Sequence, residues 1–339
     1  MHLRRGGFTH LLKEEKEKDM DSHRITPLTE GGLLAALTVV IALASVYVPL
    51  AGPFIALLWP LPLAVLVLRH GMRQGIMAMV VAGAALAMLI EPLIALRLVL
   101  AYGPLVLMLG YGYRQGFSGL KLFPLAFLAA ILGELAVLGV IFAVFGNNPF
   151  AMLMDGLKSS FDATFALYEQ AGMSAEEIAA GRAQIDTGLT LMAQLGPLLI
   201  VVLGLLDAGV AFFFGGKILR RLGHEVPQLP PFADWRLPKA FAYLFGFAMV
   251  GLYWGGTRQI DWLYQLALNA DMLALFAGLI QGLALMATVM NKFNIKGFWR
   301  WLFYLLILIN GLFAQILAFT GLFDMVFDYR RRFGRPRGE

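Results

Sequence analysis

Residues 89–104 read LIEPLIALRLVLAYGP, an almost entirely apolar run that nevertheless contains one acid, Glu91, and one base, Arg97. A charged side chain near the centre of a bilayer costs about 2.5–3.5 kcal/mol even on lenient insertion scales. The run has the character of part of a membrane-spanning helix. Each of the two charges therefore needs a structural or functional reason.

The composition of the whole chain supports a membrane location for this run. Of 339 residues, 59% are hydrophobic and 14% are charged, and the mean hydropathy is +0.73. Soluble domains carry about 25% charged residues. The net charge of +5 is consistent with the Lys and Arg excess of cytoplasmic membrane loops, so no nucleic-acid partner is needed to explain it. The chain has no cysteine, which excludes disulfides and thiolate catalysis.

Long apolar runs predict an all-α, polytopic transmembrane helix bundle with about eight full spans. The second span is short and interrupted by Pro53, Pro60 and Pro62, which remove backbone hydrogen-bond donors. A ninth apolar region covers 298–327. The predicted spans are 31–48, 53–68, 74–90, 93–113, 122–145, 188–216, 239–256 and 264–290.

Changes in polarity along the chain predict its domains. Residues 1–24 form a polar cytoplasmic tail, with Met20 as an alternative start, and no cleavable signal peptide is visible. Residues 25–220 form a six-helix membrane core that carries an external amphipathic insert, 146–187. Residues 221–328 add further membrane helices, and 329–339 form a basic cytoplasmic tail.

Basic residues predict the orientation. They cluster in alternate loops, whereas the insert 146–187 holds six acids and two bases. The positive-inside rule then places the N-terminus in the cytoplasm of a bacterium, with the chain in the inner (cytoplasmic) membrane. The basic residues of these loops are Arg69, Arg73, Arg114, Lys121, Lys217, Arg220, Arg221, Arg236, Lys239, Lys292, Lys296 and Arg300.

The last apolar region, 298–327, admits two interpretations. One more full crossing would place the basic end YRRRFGRPR outside, against the same rule. The turn-favouring pair Asn310-Gly311 near its midpoint predicts a C-terminal hairpin that returns the tail to the cytoplasm. The alternative is one long tilted helix that violates the charge rule.

The insert is too polar to span a membrane. Apolar residues spaced by three and four predict one amphipathic helix, and Ser174 with Glu177 predicts a capped second, short helix. The pair is expected on the outer surface, either as a passive surface element or as a lid over a ligand. The apolar face comprises Phe150, Leu153, Met154, Leu157, Phe161, Phe165 and Tyr168.

The intramembrane charges are the first candidate ligand-binding residues. Glu91 precedes Pro92 and is expected to cap the fourth span. Arg97 lies about 9 Å further along that helix, at 1.5 Å per residue, and needs an intramembrane acid or an anionic ligand. The acids available within apolar helices are Glu134 and Asp207. A ligand cavity and a structural ion cluster are both compatible with this set.

Neutral groups complete the candidate set. Tyr102 is a candidate ligand-binding residue together with Arg97. Trp59 is able either to stack on a flat ligand or to anchor the chain at the membrane interface. Asp271, Gln194 and Asn310 are further polar groups inside apolar stretches. The small-residue pairs Gly31/Ala35 and Gly32/Ala36 predict close helix packing.

Soluble-enzyme motifs are missing from the sequence. It contains no P-loop, dinucleotide fingerprint, HExxH or GxSxG, and its five histidines lack metal-ligand spacing. We therefore expect no enzymatic activity, no cofactor and no metal site.

Four segments together resemble the YybS-like family of bacterial membrane proteins, a domain of unknown function. The resemblance covers roughly 25–332, and its most specific part is the terminal pattern Gly321, Asp324, Asp328, Arg330. The segments are LTEGGLLAAL, FIALLWPLPLAVLVLRHGMRQG, IQGLAL and GLFDMVFDYRRR.

That family is in turn distantly similar to the S components of energy-coupling factor transporters. The resemblance implies a first set of six spans that is S-component-like, with membrane helices continuing after the sixth. It carries over no ligand residue.

Two functions are therefore expected. The leading one is small-molecule binding or transport of S-component type, and the other is a membrane scaffold or regulator that docks membrane or cytoplasmic partners without transport. The terminal acids and Arg330 are expected either to contact a partner or anionic lipid headgroups, or to be a simple stop-transfer flank.

Overall fold

The computed structural model describes residues 27–48, 50–146 and 149–330. Within these ranges the chain is helical and has no β-strand, and eight helices are long and apolar enough to cross a bilayer. The predicted fold class is confirmed. The predictions for residues 1–24, for Met20 and for 331–339 lie outside the described residues.

The helices follow the predicted order closely. The second span is broken at residues 57–59, before Pro60, where the absence of a proline N–H prevents a continuous ladder. The sixth span begins at Gly196, later than predicted, because residues 188–194 continue the preceding helix. The helices are α1 Pro27–Tyr47, α2 Gly52–Ala56, α3 Pro60–His70, α4 Met72–Leu89, α5 Pro92–Arg114, α6 Gly119–Phe145, α7 Pro149–Gln170, α8 Ala175–Gln194, α9 Gly196–Arg221, α10 Ala240–Thr257, α11 Asp261–Lys292, α12 Gly297–Ile309 and α13 Gly311–Phe327.

The chain forms two compact units. Among the described residues, unit 1 holds those up to 137 together with 203–228, and unit 2 holds those from 138 to 202 together with those from 229 to 330. This division differs from the predicted core of 25–220, since the insert groups with the C-terminal helices. Asn269 on α11 explains part of this grouping, because its amide donates to Gln194 O at 2.7 Å and accepts from Leu198 N at 3.0 Å.

Helix α3 forms the centre of unit 1. Its residues from Pro60 to Val67 are all buried, and it packs against α1, α4 and α5. Gly75 on α4 and Gly110 on α5 both face Val67 so closely that an added methyl group at either position would collide with it. Small residues thus let three helices approach one another closely.

Unit 2 is organised by a close crossing of α11 and α13. A methyl group on Gly321 would collide with Gly278 O, and one on Gly282 would collide with Leu317 O. Around the crossing, Leu322 and Met325 pack with the first turns of α10. Gly321, the glycine of the terminal pattern described above, therefore has a packing role.

The C-terminal apolar region is bent, as the Asn310-Gly311 pair predicts. Helices α12 and α13 meet at an angle of 101°. The Asn310 side chain caps α13 by accepting hydrogen bonds from Leu312 N at 3.0 Å and Phe313 N at 3.4 Å. The alternative of one continuous tilted helix is wrong.

Both ends of this bent pair lie at one end of unit 2. Arg330, just after α13, donates to Ala233 O at 2.6 Å, and Thr288, near the end of α11, donates to the same oxygen at 2.7 Å. Since α12 begins only a few residues after α11 ends, the α12–α13 pair starts and finishes beside the 229–239 segment. This is the geometry of the predicted hairpin.

The insert forms a hairpin of two helices, α7 and α8. The predicted capping box is confirmed, because Ser174 Oγ accepts from Glu177 N and the Glu177 carboxylate accepts from Ser174 N at 3.1 Å. These hydrogen bonds, that from the Ser174 hydroxyl foremost, lower the pKa of Glu177. Helix α8 has 20 residues and is longer than the predicted short helix. Ion pairs join Lys158 to Asp186 and Asp162 to Arg182.

Candidate ligand-binding site

Trp59 lies at the break between α2 and α3 and is completely buried. An interface anchor must reach the lipid headgroups, so this burial is incompatible with the anchor role. The indole Nε1–H has no hydrogen-bond partner among the described residues. A buried donor left in this state costs about 1–3 kcal/mol.

Tyr102 is the immediate neighbour of Trp59. The two ring centroids are 5.7 Å apart and the ring planes are inclined by 31°. Tyr102 is buried in the middle of α5, two residues before Pro104. The two rings are therefore in direct aromatic contact.

Three charged side chains surround Tyr102. Asp207 of α9 is buried, Glu134 of α6 is half-buried, and Arg97 of α5 is accessible at the protein surface. All three lie within electrostatic range of Tyr102, and Glu134 lies within range of both Asp207 and Arg97. We name these five residues, Trp59, Tyr102, Arg97, Glu134 and Asp207, the unit 1 cluster.

The cluster is not an ion-pair network. Within the described part of the chain, none of its three charged groups forms an ion pair within 4.0 Å. The direct Arg97–carboxylate pair considered from the sequence is therefore absent among these residues. Asp207 is buried, and Trp59 is a buried donor without an acceptor among the described residues.

Glu91 lies apart from the cluster. It is the N-cap of α5 with extended backbone, as predicted, but its exposed side chain makes no capping hydrogen bond. A carboxylate at this end of the helix still meets the positive end of the helix dipole. Its predicted ligand-binding role has no geometric support in its surroundings.

The predicted small-residue pairs behave differently from each other. Ala35 is buried and Gly31 faces Leu66, whereas Gly32 and Ala36 are exposed. Gly31, Gly32 and Ala35 line an apolar groove of about 580 Å³ between α1 and α4. Only the Gly31/Ala35 pair supports helix packing within this chain.

The role predicted for Asp324 and Arg330 at the end of α13 needs correction. Asp324 and Arg330 are buried, and they pair with each other with Arg330 Nε 3.3 Å from Asp324 Oδ2. Gln281 Nε2 donates to the same oxygen at 2.7 Å, and Tyr329 N donates to Asp324 Oδ1 at 3.0 Å. Their side chains are occupied inside unit 2, so the predicted partner or lipid contact does not hold for them.

Asp328 lies at the surface end of the same network. It ends α13 in a left-handed conformation, and its carboxylate accepts from Arg236 Nη1 at 3.0 Å. The network ties the 229–239 segment to α11 and α13. Sequence reasoning missed Gln281 and Arg236 as its members, because nothing local in the chain marks contacts between distant residues.

A second missed cluster joins α1 to α3. Glu30 pairs with Arg69, and its Oε2 accepts a hydrogen bond from His70 Nε2 at 2.7 Å. The only available signal was the position of Glu30 in the first turn of one helix and of two bases in the last turn of another. No group of acids and histidines able to hold a metal ion occurs among residues 27–48, 50–146 and 149–330.

Comparison with known proteins identifies the family. The chain is 22% identical over 311 residues to the uncharacterized protein YybS of Bacillus subtilis (strain 168), which covers 90% of this chain and 97% of that protein. No solved structure matches. The model of a family described as predicted membrane protein (DUF2232) matches residues 36–325, and because this is most of the chain, the protein belongs to that family.

Proposed function

We propose that this protein binds a small molecule at the unit 1 cluster and takes part in its transport, in the manner of an S component. The observation that carries the proposal is the buried indole N–H of Trp59, which has no hydrogen-bond partner among the described residues. Trp59 contacts Tyr102, and the buried carboxylate of Asp207 acts electrostatically on Tyr102. A buried donor without an acceptor is costly in the empty protein, and a ligand that accepts from it removes that cost.

The chemistry of the cluster indicates the ligand class. Two carboxylates outnumber the one guanidinium, so the site favours a molecule with a cationic or hydrogen-bond-donating group facing Asp207. An acceptor on the same molecule would satisfy Trp59 Nε1–H. The Trp59 and Tyr102 rings favour a flat or aromatic portion.

The exposure of Arg97 supports a role for this residue in the entry of the ligand into the site. Its side chain is accessible at the protein surface and acts electrostatically on Glu134, which in turn acts on Asp207. A charged group at membrane depth faces either water or a polar partner. We assign Arg97 to the entrance of the site, on the outer side of a bacterial cytoplasmic membrane with the N-terminus inside, as the basic loops favour.

Native mass spectrometry of the protein, purified gently from its host membrane, tests this proposal. We expect a reproducible small-molecule adduct on the wild type. The Asp207→Asn variant keeps the shape of the side chain but removes its charge, and should lose the adduct.

Asp271→Asn is the matched control, because Asp271 is also a buried acid within a membrane helix but belongs to unit 2. This variant should keep the adduct. Loss of the adduct in both variants, or a wild type that carries only phospholipid or another polypeptide, would contradict the proposal. A co-purifying polypeptide would favour the scaffold function instead.

A further inference from the structure

A second cavity lies in unit 2, at the end where α10 begins and α13 ends. Its volume is about 670 Å³. Its lining combines polar and charged groups with the apolar side chains of Leu237, Met325 and Phe327. The charged or polar lining residues are Arg236, Lys239, Gln281, Asp324 and Asp328.

The acidic part of this lining is already neutralised. Asp324 is paired with Arg330 and accepts from Gln281, which itself accepts from Leu237 N at 2.9 Å. Asp328 is paired with Arg236 at 3.0 Å. Both carboxylates of the lining are therefore paired with an arginine.

Lys239 is a charged lining residue whose ammonium group has no ion-pair partner among the described residues. It is exposed, and its side chain makes no hydrogen bond or ion pair with the part of the chain that the structure describes, whereas its carbonyl accepts from Ala242 N at 3.0 Å and Tyr243 N at 3.2 Å. It is the N-cap residue of α10, an 18-residue helix whose N-terminus has no side-chain cap. The lysine charge and the positive end of the helix dipole thus act at the same place.

Arg236 adds a second cation within reach. Its side chain is 57% exposed and its Asp328 partner 28% exposed. Ion pairs this accessible contribute about 0–1 kcal/mol. An anion of higher charge density at the cavity can therefore replace the Asp328 carboxylate as the partner of the Arg236 guanidinium.

We propose that this cavity binds the phosphate group of a membrane phospholipid through Lys239 and Arg236. Helix α10 is long and apolar enough to cross a bilayer, and the cavity lies at its first residues, the part of a spanning helix that meets the headgroups. The apolar wall, with Phe327 57% exposed, suits the glycerol and acyl portion that a soluble phosphate lacks. Basic pockets between membrane helices are known to hold such headgroups. This site is independent of the unit 1 cluster.

Lipid titration with native mass spectrometry of the full chain in detergent tests the proposal. The probes are dioleoylphosphatidylglycerol, dioleoylglycerol, which lacks the phosphate, and soluble glycerol 3-phosphate. Lys239→Gln should weaken binding of the phospholipid about fivefold, the factor expected from about 1 kcal/mol per basic residue near an anionic lipid. Binding of dioleoylglycerol should not change.

Two further variants make the test specific. Arg221→Gln removes an exposed basic residue that does not line the cavity, and it should leave phospholipid binding unchanged. Asp328→Asn releases Arg236 from its carboxylate partner and should strengthen phospholipid binding. A variant that had only lost its fold would not bind the phospholipid more tightly.

Three results would overturn the proposal. The first is an equal loss of phospholipid binding in the Lys239 and Arg221 variants. The second is an unchanged or lower phospholipid affinity in Asp328→Asn. The third is glycerol 3-phosphate binding as tightly as the phospholipid, which would make the ligand a soluble phosphate.

Discussion

Truncation of Asp324 to alanine should destabilise unit 2 strongly. The substitution removes the acceptor for Gln281 Nε2 at 2.7 Å and for Tyr329 N at 3.0 Å, and the counter-charge of Arg330 at 3.3 Å. The Arg330 side chain is only 6% exposed and would remain as a buried cation. Breaking a buried pair in this way costs about 3–5 kcal/mol.

The double variant Asp324→Ala/Arg330→Met separates the two contributions to that cost. It leaves no uncompensated charge, so it should be less destabilised than the sum of the two single variants by about 1–3 kcal/mol. Asp328→Ala is the control, because its pair with Arg236 is accessible and should contribute about 0–1 kcal/mol.

Unfolding of the four purified variants in mixed micelles of increasing SDS content, followed by tryptophan fluorescence, measures these differences. A cost below about 1 kcal/mol for Asp324→Ala would contradict the reasoning, because breaking a buried pair is expected to cost about 3–5 kcal/mol. Strict additivity of the single variants would also contradict it.

Three other predictions concern separate parts of the chain. Gly321→Val should separate α11 from α13, because its side chain would collide with Gly278 O, and should lower the unfolding midpoint far more than Gly246→Val, where the structure has open space. The first turn of α8 should lose stability as the pH falls below about 4.5, because the pKa of Glu177 is lower in the folded state than in the unfolded chain. Hydrogen exchange should show this loss of stability, and the Glu177→Gln variant should not show the pH dependence. Reporter domains fused before residue 1 and after Glu339 should lie on the same side of the membrane, and opposite sides would remove the hairpin.

Local signals in the sequence were sufficient for most of the fold. The membrane helices follow from runs of apolar residues, the break in α12–α13 from the Asn310-Gly311 pair, and the capping box from Ser174 and Glu177. Each of these features depends on neighbours within one or two helical turns. Hydropathy and short-range chemistry therefore predicted them correctly.

Long-range pairing could not be predicted in the same way. Asp324 appeared to belong to an exposed flank, because a basic tail follows it, yet its partners include Gln281, which is 43 residues away. Arg97 appeared to need a direct acid partner, whereas the structure leaves it accessible, with Glu134 only within electrostatic range. Periodicity shows which face of a helix is apolar, but not which helix covers it.

The sharing of Ala233 O by Thr288 and Arg330 has a consequence for biosynthesis. Ala233 and Arg330 are 97 residues apart, so this contact forms only after nearly the whole chain has been translated. A nascent chain that stops before Arg330 has a buried Asp324 without its counter-ion, in a helix already placed in lipid. Such a product should open readily and be degraded by membrane proteases. We therefore expect chains interrupted before Arg330 to be less stable than chains that contain it.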